Sequence, residues 1–337
     1  VTGWVPDVLP GYWRRTIPLG PDPAGEGDVV ATLIRRGEPT GPERHAVLAV
    51  HGYTDYFFNA ALADHFAGRG FAFYALDLQK CGRSRRDGQT PHFITDLAHY
   101  DAELGHGLSA IRAAGHSRVL VYGHSSGGLI VSLWLDRLRR RDPAAHAGVG
   151  GLVLNSPFLD LHGPAFLRLA VTSALIAGLS RVWSKGVVRA PTDGGYGTTL
   201  HRDYQGEFDY DLRWKPVGGF PITVGWLHAV RRAQITLHRG LDVGVPNLIL
   251  RSDHSVRESA DPASMQRGDA VLDVTQIARW AGCIGNRSTV VPVPDAKHDV
   301  FLSLPGPREA AYRHLDGWLD DYLRADNSRA SASSGKG

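Results

Sequence analysis

The stretch Val119-Leu120-Val121-Tyr122-Gly123-His124-Ser125-Ser126-Gly127-Gly128 constrains this chain more than any other. Its first four residues are β-branched, aromatic or leucine with no polar break, the pattern of a buried strand. Beyond Gly128, Leu129, Leu133, Trp134, Leu135 and Leu138 recur at helical spacing, with Asp136 and Arg137 between them. Gly-x-Ser-x-Gly stands between strand and helix, with Ser125 at its centre. A serine on so sharp a turn is pushed out of the end of a sheet in a strained conformation. The glycines beside it let strand and helix close without a side-chain clash. The helix start also leaves backbone N–H groups free, aimed where an oxyanion would form. In a chain with 40 glycines the pattern also arises by chance, so its meaning depends on partners for Ser125 following in the right order.

The flanking sequence supplies a frame for that turn. Residues 14–20 and 28–37 read as two antiparallel strands around a Pro/Gly turn. From His45–Val50 onward, strands alternate with helices: a helix over Phe57–Phe66, a strand over Phe71–Leu78, a helix carrying Leu97, Tyr100, Leu104, Leu108 and Ile111, and a strand over Gly151–Pro157. Such alternation implies a mostly parallel sheet with helices on both faces. It stops near residue 160. Residues 160–244 carry apolar patches (Phe166, Leu169, Val171, Leu175) and a Gly-, Asp- and Tyr-rich stretch. This segment is too long for a plain loop and reads as an inserted helical cap whose apolar residues line a substrate pocket. The sheet resumes at Val245–Leu250 and ends at Thr289–Val293, before a final helix. The expected division is a core of 1–159 and 245–326, a cap of 160–244, and a Ser/Ala/Gly-rich disordered tail of 327–337.

Composition narrows the function class. A net charge of +3 implies no strong nucleic-acid or membrane field. The most apolar run, Phe166–Leu179, contains Arg168 and is shorter than the roughly 20 residues that span a bilayer. No stable membrane insertion is expected. Only two cysteines, Cys81 and Cys283, lie far apart, which fits a reducing, cytoplasmic setting with no disulfide framework. Cys81 reads as a packed, idle thiol. Arg83, Arg85 and Arg86 read as a solvated loop face rather than an anion site. No motif calls for a cofactor or a metal ion.

Partners for Ser125 do follow. His51-Gly52-Tyr53 ends the third strand, and Gly52 lets the chain turn over the sheet edge. The Tyr53 N–H then points at the same place as the Ser126 N–H, and two such donors make an oxyanion hole. A serine needs a base to take its proton, and imidazole, with an ordinary pKa near 6.5, suits that task. Of 16 histidines, His298 is placed best, just after the last strand. His254, after the seventh strand, is the next candidate. His124 neighbours Ser125 and should point away along the turn.

Taken together, the chain resembles the α/β-hydrolases, specifically the monoacylglycerol-lipase and serine-aminopeptidase-like (S33) branch. The matching pieces are His51-Gly52-Tyr53, Asp77 through Ser84, Gly123 through Gly128, Asp269-Ala270-Val271-Leu272-Asp273, and His298, spread over about residues 45 to 320. The resemblance implies an eight-stranded, mostly parallel sheet with a cap, and a Ser125–Asp269–His298 triad. Asp253, directly after the seventh strand, is the alternative acid, and Asp273 falls to a structural or capping role. Two departures stand out. Lys80-Cys81 occupies the place of the family's Gly-His pair, and the polar stretch from His254 to Gly268 is long. The implied activity is serine-dependent hydrolysis of a small apolar acyl ester. An aminopeptidase reading would need a cap carboxylate such as Glu207, Asp209 or Asp211 to hold the substrate amine. Acyl transfer or ligand binding on the same fold is the third reading.

Overall fold

The computed structural model describes residues 3–37, 43–192, 194–258 and 261–334. The chain opens with three antiparallel strands: β1 (Val5–Pro6), β2 (Tyr12–Pro21) and β3 (Asp28–Arg36). Alternation then begins with β4 (His45–Val50), α1 (Ala60–Gly68), β5 (Phe71–Asp77), α2 (Asp101–Ala113), β6 (Arg118–His124) and α3 (Ser126–Arg141). A single turn, α4 (Pro143–His146), leads into β7 (Val149–Asn155). The insertion carries α5 (Ala170–Trp183), β8 (Val187–Arg189), β9 (Ile222–Thr223) and α6 (Val224–Leu237). The core resumes with β10 (Asn247–Ser252), the short α7 (Pro262–Met265), α8 (Val274–Trp280), β11 (Ser288–Val293) and α9 (Pro305–Ser334).

Among the described residues the main sheet has nine strands in the order β1-β2-β3-β5-β4-β6-β7-β10-β11. From β5 to β11 every neighbouring pair is parallel. The expected count is eight. The extra strand is β1, two residues paired antiparallel with β2 at Val5–Arg14 and Pro6–Trp13. A two-residue strand has no alternation to read, and its proline marks a sheet edge.

Period-two alternation divides the core. Ala46, Leu48 and Val50 of β4, Val119 and Val121 of β6, and Leu152 and Leu154 of β7 face α2, α3, α6 and α8. Val47, Ala49, Leu120, Tyr122 and Val153 face the other way, against α1 and α9. Helices thus cover both faces of the parallel part, as βαβ crossovers require.

Helix ends depart from the expected boundaries for local reasons. The first helix starts at Ala60 because Asn59 caps it, its Oδ1 accepting the Leu62 N–H at 3.1 Å. The helix read over 97–111 opens with a single 3₁₀ turn, Leu97–Tyr100, before α2. The tail departs more. Residues 327–334, expected to be disordered, continue α9. Once a helix is nucleated, each further residue costs little. Residues 335–337 of that expected tail lie outside the described residues.

The insertion has two characters. Its last helix, α6, buries Trp226, Val230 and Leu237 in the same cluster as α3. Its first, α5, has no buried residue and exposes Val171, Leu175 and Val182. No helix among the described residues is long and apolar enough to cross a membrane. Arg83 corrects another expectation, because it is not on a solvated face. Its guanidinium is buried between Asp7, at 2.8 Å, and Asp77, at 2.9 Å, and ties the end of β5 to the N-terminal loop. Near it, Arg86 donates to the Arg83 carbonyl and Arg85 lies over the Phe220 ring.

Candidate active site

The carboxyl ends of β4, β6, β7, β10 and β11 lie side by side, so the loops that follow them converge, as ligand sites do in open parallel sheets. The chain leaves β6 into α3 with no intervening residue except Ser125, whose backbone sits at φ 52, ψ −122. That is a strained conformation for a residue bearing a Cβ. The turn survives because its neighbours have no side chains to clash. A Cβ on Gly127 would lie 2.7 Å from the Val50 carbonyl oxygen and closer still to that of His51. On Gly123 it would lie 2.8 Å from the Gly128 Cα. The Ser125 N–H donates to the Asn155 carbonyl of β7 at 3.0 Å, which pins the turn to the sheet.

Gly52 brings the loop after β4 against the turn: a Cβ there would sit 2.9 Å from the Ser125 Cβ. His51 holds this loop. Its Nε2 accepts the Leu78 N–H at 3.1 Å, so its Nδ1 carries the proton and donates to the Gly52 carbonyl at 2.8 Å. Among the described residues neither the Tyr53 nor the Ser126 N–H is used as a donor. Both are therefore free of a protein acceptor.

On the loop after β11, His298 is 3 % exposed and its Nδ1 donates to Asp269 Oδ2 at 3.0 Å. Asp269 is wholly buried, and its Oδ1 accepts the N–H groups of Val271 and Leu272, both at 2.8 Å. The carboxylate is thus fixed by the backbone on one side and orients the imidazole on the other. The His298 ring lies 4.9 Å from the ring of His124, next to Ser125. Among the described residues no hydrogen bond joins Ser125 Oγ to His298, and His298 Nε2 is uncommitted. Such bonds are often loose until substrate arrives.

The geometry has a counterpart in sequence. The family model of hydrolases described as serine aminopeptidase, S33, matches residues 41–261, well over half of the chain. This chain belongs to the S33 hydrolase family. Its α/β-hydrolase fold is shared with solved structures of low sequence identity. One is a soluble variant of monoglyceride lipase from Saccharomyces cerevisiae, bound to a substrate analog. It is 17% identical, with 87% of this chain and 92% of that one covered, at a TM-score of 0.63. Another is the Paleococcus ferrophilus monoacylglycerol lipase, 18% identical, covering 92% and 99%, at a TM-score of 0.59. No curated protein matches the sequence.

Within this S33 hydrolase the other candidates fall elsewhere. Asp253, the alternative acid, is 39% exposed and is bonded to His254 at 2.7 Å and to the Asp295 N–H at 3.1 Å, away from His298. His254, the second candidate base, is thereby committed to a surface pair. Ser255 and Asp269 form an isolated bridge, and it is Asp269 rather than Asp253 that bonds the imidazole. Asp273 caps α8, accepting the Thr275 N–H at 3.0 Å. His124 does not point away as expected. Its Nδ1 donates to the Asn155 carbonyl at 3.1 Å, which turns its ring toward His298, and burial lowers its pKa and keeps it neutral. Glu207, Asp209 and Asp211 are each paired with a surface arginine: Arg308, Arg202 and Arg213 respectively.

Three side chains that support the site escaped the sequence reading. Asn155, fully buried at the end of β7, donates to Asp299 Oδ1 at 2.7 Å and to Tyr122 Oη at 2.8 Å, and accepts the Val300 N–H at 3.2 Å. It joins the serine turn to the histidine loop. Tyr196 of the insertion accepts the Asp299 N–H at 2.9 Å and sets its ring edge against His298 at 5.7 Å. Lys297 donates to the Thr199 carbonyl at 2.7 Å, and burial lowers its pKa to about 8. A polar residue near the end of a buried strand was the only sequence signal for Asn155.

Cys81 has a neighbour that the sequence did not suggest: His92 Nδ1 stands 3.1 Å from its Sγ. The pair is nevertheless inert. Burial, aided by Glu103 and Asp77, raises the thiol pKa, and burial lowers that of His92, so both are neutral. The Lys80 that precedes it is buried against Asp22, at 2.5 Å, and Glu26, at 2.8 Å.

Ser125 itself is only 9 % exposed. Two cavities of about 340 and 320 Å³ lie away from it, one against Arg118, Trp318 and Tyr322 and the other against α5 and Phe93. Two side chains of residues 160–244 border the site, Tyr196 against His298 and Trp226 against Tyr53. Phe158, whose N–H donates to the Ser125 carbonyl at 3.0 Å, stacks on Trp226 of α6, which in turn packs 4.2 Å from the Tyr53 ring. Phe158, Trp226 and Tyr53 thus form one row of rings.

Proposed function

We propose that this chain hydrolyses carboxylic esters of apolar acyl groups through an acyl-enzyme on Ser125. The reading rests above all on the buried His298–Asp269 hydrogen bond beside the strained Ser125 turn. With Asp269 holding the Nδ1 proton, His298 Nε2 carries a lone pair and acts as the base. It takes the Ser125 Oγ proton as the oxygen attacks the ester carbonyl. The negative charge formed on the carbonyl oxygen is met by the Tyr53 and Ser126 N–H groups, already oriented and in a water-poor setting. The imidazolium then protonates the departing alcohol, and a water deprotonated by the same imidazole releases the acid and regenerates Ser125.

The aromatic wall of Phe158, Trp226 and Tyr53 favours an apolar acyl chain. An aminopeptidase reading is less well supported, because the three acids that would hold a substrate amine are engaged by arginines on the surface. Acyl transfer would share the acyl-enzyme and differ only in the acceptor. Both cysteines are free thiols, which suits a cytoplasmic enzyme.

The test is steady-state hydrolysis of short- to long-chain p-nitrophenyl esters alongside aminoacyl p-nitroanilides. Ester turnover that Ser125→Ala abolishes, with anilides left intact, is the expected result. Anilide turnover exceeding that of every ester would overturn it.

A further inference from the structure

The loop that carries the Tyr53 N–H is bonded to the insertion at four consecutive residues. Tyr53 Oη donates to the Pro221 carbonyl at 2.5 Å. Thr54 Oγ1 accepts the Phe220 N–H at 2.9 Å. Lys215 Nζ donates to Asp55 Oδ1 at 2.6 Å. Tyr56 Oη accepts the Asp211 N–H at 2.7 Å. Residues 53–56 and 211–221 are therefore fastened side by side, although more than 150 residues of chain separate them.

The third of these bonds differs in kind. Asp55 and Lys215 are both buried, at 6% and 9% exposure, and the ammonium lies over the rings of Phe58 and Tyr210 at 5.4 and 5.8 Å. Burial alone would push the Asp55 carboxyl up. The Lys215 ammonium outweighs burial and holds it below its ordinary value. The pair is thus ionised inside the protein. A buried ion pair seldom stabilises a fold more than apolar residues of the same volume, but removing one partner strands the other charge. What such a pair does well is hold a geometry, and here there is a geometry to hold. Thr54, between Tyr53 and Asp55, sits at φ 52, a left-handed conformation that a β-branched residue adopts only under constraint.

We propose that Asp55 and Lys215 are positioning residues that hold the Tyr53 N–H in the oxyanion hole, so that a residue of the insertion completes the hole from outside the core. Neither side chain touches the substrate. The pair fixes the loop on which the donor rides. This inference rests on the Ser125 reading, and the experiment separates the two.

Lys215→Met is compared with wild type for p-nitrophenyl butyrate turnover and for inhibition by an alkyl trifluoromethyl ketone, whose adduct with a serine places an oxyanion in the hole. The expected loss is about 10²-fold in kcat, the scale of losing one oxyanion donor, with KM changed little. Affinity for the ketone should fall by a similar factor, and Lys215→Arg should recover most of both. A purely structural role would lower Tm while leaving kcat per folded molecule and ketone affinity as in wild type, and that result overturns the proposal. Should Lys215→Met not fold, Asp55→Asn, of the same size and uncharged, carries the same comparison. A wild-type protein inactive on every ester overturns both readings. An active wild type with unchanged variants overturns this one alone.

Discussion

Replacing Asp269 by Asn gives the sharpest prediction, because the surroundings dictate which way the amide must face. Oδ1 accepts two backbone N–H groups, from Val271 and Leu272, at 2.8 Å each. An amide nitrogen cannot accept either, and turning it toward them would leave two buried donors facing two more. The oxygen of the new amide therefore keeps the backbone, and its NH₂ faces His298 Nδ1, 3.0 Å from where Oδ2 now stands. Nδ1 must then accept, which moves the ring proton to Nε2, the atom meant to take the serine proton. The fold is kept and the base is lost. Loss of a triad acid in this manner costs about 10⁴-fold in kcat, or roughly 5.4 kcal/mol of barrier. The assay is p-nitrophenyl ester turnover near neutral pH, with thermal unfolding as a check on folding. Asp253→Asn serves as the comparison and should retain turnover within a factor of about two, since the Asp253 carboxylate bonds His254 and the Asp295 N–H rather than His298. Asp269→Asn retaining a tenth or more of wild-type turnover, or Asp253→Asn losing as much as Asp269→Asn, would refute the reasoning.

Other expectations follow from packing and titration. Gly127→Ala drives a methyl into the carbonyl oxygens of His51 and Val50. It should cost about 3 kcal/mol in urea unfolding or prevent folding altogether, and a stable, active variant would contradict the tight turn. Lys297 has a folded pKa of about 8 against an ordinary 10.5. Between those values the unfolded chain holds the proton and the folded one does not, so stability should rise with pH across that window, by up to about 3 kcal/mol. Lys297→Met should flatten that rise in urea titrations at about pH 8 and pH 10, and an unchanged slope would show that another group is responsible. Asn155→Ala leaves the Val300 N–H without its partner and the Asp299 carboxylate with the Phe301 N–H but not the Asn155 amide. It should cost about 1–3 kcal/mol and lower kcat through the histidine loop, and a loss of stability with full turnover would break that link.

Much of this was legible because it is written locally. Apolar runs such as Val47–Val50 and Val119–Tyr122 have one reading as buried strands, and a glycine-flanked serine between strand and helix has few conformations open to it. The order of loops then brings Asp269 and His298 together at the carboxyl ends of the strands, where Ser125 follows β6. What escaped is non-local or single. Asp55 and Lys215 are two unremarked charges in aperiodic segments that only the closed fold brings to 2.6 Å. Arg83 looked like one of three loop arginines because its partner Asp7 lies far back in the N-terminal loop. Strand order alone points to Asp253, and the resemblance to Asp269; in the structure it is Asp269, bridged to Ser255, that bonds the imidazole. Residues 327–334 follow the helix before them rather than their own composition.

The most direct test of the central claim is labelling with a serine-reactive fluorophosphonate at about pH 8, where a histidine base is neutral, followed by mapping of the modified peptide. The account predicts a single adduct on Ser125, absent from Ser125→Ala and formed far more slowly in His298→Ala. A wild-type protein that takes no label, or takes it on another residue, would contradict it.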